Sequence, residues 1–158
     1  MASISFLLKK QKKYVKLLNE FEDLCERLKE LEKDVSRNYR GHVNEDNKNV
    51  FVPIFDDNYP NMIFFNVASV NIFCKFTQYI DKGVLIFGYY YRQNNEEIET
   101  CTGHLYFDDS GNYYLKYEEN ALLHSPHEFE FYYETFFRMI SETINNYYNK
   151  LKEDCNLE

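Results

Sequence analysis

The chain has 158 residues, 44% of them hydrophobic, and a formal net charge of −8. That length suits one domain able to bury about 68–70% of its unfolded surface. With 5 Gly and 3 Pro it is neither collagen-like nor of the Gly/Pro-rich disordered class, and no apolar run reaches the roughly 18–20 residues of a membrane span.

The kind of apolar residue is unusual: 15 Tyr and 14 Phe but no Trp. Heavy use of Asn, Lys, Tyr, Phe and Ile points to an AT-rich coding genome. The charge is divided unevenly. Residues 1–40 carry 10 Lys+Arg against 7 Asp+Glu, and the remainder carries 8 against 19. An acidic body repels phosphate backbones, which argues against nucleic acid and for a basic protein partner. Met1-Ala2-Ser3 and Leu157-Glu158 read as cloning remnants, and the N-terminus lacks the pattern of a secretory signal.

Residues 1–40 predict one long amphipathic helix. Leu7, Tyr14, Phe21, Leu28 and Val35 recur every seven residues, and Leu17, Leu24 and Leu31 repeat three positions later. This is a heptad seam on a helix of roughly 50 Å, so either part of the helix projects or pairs with a second copy as a homodimer, or the helix lies wholly on its own domain. Lys9, Lys10, Lys12, Lys13 and Lys16 crowd its first turns, where the helix dipole disfavours cations. Either they face something acidic (the chain's own body, a second copy or a phosphate) or they form a solvated polar face, the usual fate of a charge run.

Residues 41–158 predict an acidic α+β body. Asn38 to Lys48 reads as a loop. Val50–Phe55 is a short strand whose Pro53 points to an edge or a bulge. Met62–Val67 and Val70–Phe76 follow; in the second, Val70, Ile72, Cys74 and Phe76 share one face. Asp81-Lys82-Gly83 makes a turn. Val84–Tyr91 is apolar on both faces, and Gly88 marks a bulge or a close backbone approach. Gln93–Glu96 turns the chain into Ile98–Phe107, and Asp108–Asn112 leads into Tyr113–Tyr117. Short turns imply antiparallel pairing. Ser125-Pro126-His127-Glu128 is a capping box that opens a last helix, 125–152, with an aromatic stripe including Phe136, Ile140, Ile144 and Tyr147. The expected fold is therefore α+β. An antiparallel meander of five to six strands is packed by the C-terminal helix and preceded by the long N-terminal one.

Cys25, Cys74, Cys101 and Cys155 lack paired spacing, and Cys25 and Cys74 sit among apolar residues. They read as free thiols of a cytoplasmic protein. Cys101 and His104 with His124 and His127 offer Cys-x2-His and His-x2-His, a zinc-ligand or Cys/His nucleophile set. An odd spacing puts Cys101 and His104 on opposite faces of a regular strand, and a bulge at Gly103 would bring them together. No phosphate-binding or nucleophile-elbow motif is present. The pairs Asp56/Asp57, Asp108/Asp109 and Glu118/Glu119 sit in turns or at strand ends, where solvated acids are common.

By elimination the sequence reads as a non-enzymatic binding module without a cofactor, of the kind intracellular inhibitors, immunity proteins and phage counter-defence proteins form. Its expected binding residues are Lys9, Lys12, Lys13 and Lys16, with Tyr89, Tyr91 and Tyr114 beside Glu96 and Glu97. Tyrosine among acids suits a protein interface better than a base-stacking one. A small Cys/His hydrolase or zinc protein, and a structural protein self-associating through the heptad helix, are the alternatives.

Overall fold

The computed structural model describes residues 2–38, 53–118, 122–124 and 130–157. Helix α1 (Ala2–Asn38) is followed by strands β1 (Pro53–Ile54), β2 (Met62–Val67), β3 (Val70–Tyr79), β4 (Lys82–Gln93), β5 (Glu96–Phe107), β6 (Tyr113–Tyr114) and β7 (Leu122–His124), then helix α2 (Glu130–Cys155). The strands form one antiparallel sheet in chain order, β1 to β7. This is the α+β meander the sequence predicts. The seventh strand is the short β7, whose few residues carry too little pattern to read. The capping box at 125–128 lies outside the described residues.

Both helices cover the same face of the sheet. Leu17, Phe21, Leu24 and Leu28 of α1 and Phe136, Met139 and Ile140 of α2 share one buried cluster with Ile63, Phe65, Ile72, Cys74, Phe76, Leu85, Phe87, Leu105 and Phe107. Phe76 sits at the centre of the α1 contact. Its ring stacks on Tyr14 (5.7 Å) and Phe21 (5.2 Å) and lies 5.7 Å from Phe107. Beneath α2, Phe87 meets Phe136 edge to face at 5.4 Å. The heptad seam from Tyr14 to Leu28 is thus consumed by the chain's own sheet and is not free to form a coiled coil with a second copy.

Strand parity is set by the turns. The chain reverses at Ile80-Asp81, a two-residue loop between Tyr79 and Lys82, and not across the three residues 81–83 read from sequence. A one-residue slip moves every side chain of a strand to the other face. The observed turn puts Leu85, Phe87, Tyr89 and Tyr91 on the helix side. In β5 the register shifts opposite Phe87/Gly88, leaving Thr102 as the extra residue of a bulge. Gly88 is required there: a Cβ would stand 2.4 Å from the Phe73 ring and 2.2 Å from the Thr100 carbonyl oxygen.

Three hairpin turns hold side-chain-bearing residues in the left-handed region. Ala68 and Ser69 (φ 51° and 67°) form the β2–β3 hairpin loop, and Ile80 (φ 57°) begins the next. Asn94 and Asn95 adopt the same region at the β4–β5 turn (φ 52° and 65°), where their short polar side chains suit it. Phe76→Ala is expected to cost about 3–5 kcal/mol, read as a lower urea midpoint at unchanged m. Replacing Ala68-Ser69 by Asn-Gly should stabilise the chain by about 1–2 kcal/mol in the same assay.

Candidate functional site

The sheet face turned away from the helices carries the larger set of unexplained side chains. Its parity follows from the register: Phe64 of β2 pairs with Phe73 of β3, and Phe73 with Gly88 of β4. Tyr90 pairs with Glu99, and Arg92 with Glu97. Four rings join into a row here. Tyr59 meets Phe64 edge to face at 6.0 Å, Phe64 stacks on Tyr90 at 6.4 Å, and Tyr90 lies 5.1 Å from Phe73. Phe73 is buried over Gly88, Phe64 and Tyr90 are half-buried, and Tyr59 is 52% exposed. No described helix lies on this face.

The row ends in acid. Glu96, Glu97 and Glu99 are exposed on the β4–β5 hairpin. Partial burial, followed by the charges of Glu99 and Glu97, raises the Tyr90 phenol above its ordinary value. The two carboxylates therefore act on a surface that is already partly dry, where charge interactions are stronger than in open water.

A second aromatic group occupies the same face toward the start of β4. Tyr79, Tyr106 and Tyr117 meet at 5.4–6.4 Å, with the His104 ring 5.3 Å from Tyr106. Buried Lys82 lies over the Tyr117 ring at 4.5 Å. Tyr117 donates to Asp81 (2.7 Å); that bond is the main cause of the lowered Asp81 pKa.

The tyrosines expected to bind are placed differently. Tyr89 is 4% exposed and meets Tyr147 of α2 edge to face at 5.6 Å; Tyr91 lies 5.8 Å from the same ring. Both face α2, so Tyr90, not its neighbours, reaches the outer face. Tyr114 is buried and donates to Asp108 (2.8 Å). Burial would raise the Asp108 carboxyl, but bonds from Asn112, Tyr114 and the Ser110 amide outweigh it and hold it below its usual range. Of the lysines, Lys13 pairs with Asp109 at 3.0 Å and Lys10 donates to the Ile80 carbonyl at 3.3 Å. The chain's own body thus answers two of the misplaced charges. Lys9, Lys12 and Lys16 are exposed.

The bulge at Thr102 changes the expected faces of Cys101 and His104. Cys101 aligns with Gly88 and His104 with Ile86, so both lie on the outer face. Thr102 turns inward instead. Thr143 donates to the Met139 carbonyl (2.8 Å), which leaves Thr102 to donate across to Thr143 at 2.7 Å. His124 lies in β7 opposite Tyr113, and His127 lies outside the described residues. Among the described residues no three His, Cys, Asp or Glu side chains form a metal-holding group.

Comparison with family models, with curated proteins and with solved structures finds no match. No described helix is long and apolar enough to cross a membrane.

All four cysteines are free. Burial pushes the Cys25 thiol up to about 12 and the fully buried Cys74 thiol well above its ordinary value. Cys101 and Cys155 are exposed. A thiol reagent at neutral pH should therefore label Cys101 and Cys155 quickly, and Cys25 and Cys74 only when denaturant opens the core. Peptide mapping of the labelled protein gives the order.

Proposed function

We propose that the chain is a non-enzymatic protein-binding module that takes a basic partner on the outer face of its sheet. One observation carries this reading: the exposed carboxylates Glu97 and Glu99 stand beside a contiguous row of partly exposed rings. Tyrosine offers contact area at low entropy cost. Ring faces attract ammonium and guanidinium groups, and flanking acids steer a basic surface into register. Exposed Cys101 and His104 on this face are compatible with contact residues and need no chemistry of their own. Free thiols fit a reducing, cytoplasmic setting. The role is that of a docking protein such as an inhibitor or an immunity protein.

The test is calorimetric titration of a lysine-rich amphipathic helical peptide into the full chain. Binding should weaken with added salt. Glu97→Lys/Glu99→Lys and, separately, Tyr90→Ala should each weaken it about tenfold or more. Unchanged affinity in both variants would overturn the reading.

A further inference from the structure

The first turns of α1 run beyond the sheet. At 37 residues the helix is about 55 Å long, and its first side-chain ties to the body are Lys10 and Lys13. Ahead of them Ile4 is 61% exposed, Leu7 63% and Leu8 57%. Apolar residues continue on a side of the helix that the sheet leaves uncovered: Ile4, Leu8 and exposed Val15 share it, with polar Gln11 between the last two, at steps of four, three and four. Lys9, Lys12 and Lys16 each stand one residue after Leu8, Gln11 and Val15, so a basic stripe runs along the apolar one. No Asp or Glu precedes Glu20. This end of the helix is therefore a basic, amphipathic surface that no described strand or helix covers.

The surface that complements it lies at the other end of the same molecule. Lys10 holds the overhang to Ile80, just before β4 begins at Lys82. Tyr90 is eight residues further along that strand, roughly 26 Å away at 3.3 Å per residue, and faces away from the helices. Residues 14–28 of α1 are packed on the opposite face, so the rigid overhang cannot fold back to reach its own Glu97 and Glu99.

We infer that the basic partner of the outer face is the α1 overhang of a second copy, so that chains join head to tail. This assignment rests on the acidic aromatic face being a docking surface. Lys9, Lys12 and Lys16 would meet Glu97 and Glu99, and Ile4 and Leu8 would cover the rings. Charge selects this occupant. The overhang is locally basic, with Lys9, Lys12 and Lys16 and no acid before Glu20, and each copy carries its complement, Glu97 and Glu99 beside a row of rings. The contact is heterologous, because different surfaces of the two copies meet, and repetition builds a ring or an open chain of subunits.

Sedimentation of the full chain over a range of concentrations and salt tests this. Wild type should self-associate, and less so at high salt. Leu8→Glu destroys the overhang and Glu97→Lys/Glu99→Lys the acidic face, and each alone should weaken association about tenfold or more. Mixed together, the two variants retain one intact overhang and one intact face, and should form a 1:1 dimer and nothing larger. All the substituted side chains are exposed, and circular dichroism of each variant verifies the fold. A wild-type chain that is monomeric throughout overturns the inference, as does association that survives Glu97→Lys/Glu99→Lys or a mixture that fails to pair. Binding of phosphatidylserine vesicles by a monomeric chain, lost in Leu8→Glu, would overturn it in favour of lipid. The broader reading fails separately, if Leu8→Glu, with its acidic face intact, does not bind the lysine-rich peptide.

Discussion

Phe76 is the contact on which the arrangement of this protein turns. It belongs to the one strand whose alternation is clean, and its ring is clamped by Tyr14 and Phe21 of α1 and neighboured by Phe107 of β5. That contact decides which face of β3 is inside, and the short antiparallel turns then impose the same choice on every other strand. Helix α2 closes the same face further along, through Phe87 and Phe136. A sheet with both helices on one side leaves its other side to be explained.

That other side is where an error of one residue in a turn matters most. β4 is apolar on both faces, so its own pattern carries no parity signal. A three-residue turn at 81–83 would place Tyr89 and Tyr91 opposite Phe76's face. The two-residue turn at Ile80-Asp81 places them beneath α2 and brings out Tyr90. Nothing local favours that turn, since Ile80 is branched and sits at φ 57°. Pairing along the whole length of β3 and β4 outweighs the local cost. The bulge at Thr102 works the same way. It brings Cys101 and His104 to one face and gives Thr102 to the buried Thr143, a trade visible only once α2 is in place.

The lysines at the start of α1 have a similar history. Against the helix dipole they look misplaced, and local helix energetics offers no reason for them. Two of them hold the helix to the turns at Ile80 and Asp109. The rest flank an apolar stripe that extends beyond the sheet. Long helix, heptad spacing and basic start were all legible in the residues. The division of that helix into a buried stretch and a free end was not, because it depends on where the sheet stops.

By itself the sequence determined the class of fold, the two helices, the order and antiparallel sense of the main strands and the special role of Gly88. These rest on periodicity, turn chemistry and backbone sterics, which act within a few residues. Tertiary structure alone decided which tyrosines are core and which are surface, which lysines are tied and which are exposed, and that the basic end of α1 and the acidic face of the sheet lie at opposite ends of the molecule. Those depend on register and on which face the helices cover, and both are set by contacts between residues far apart in the chain.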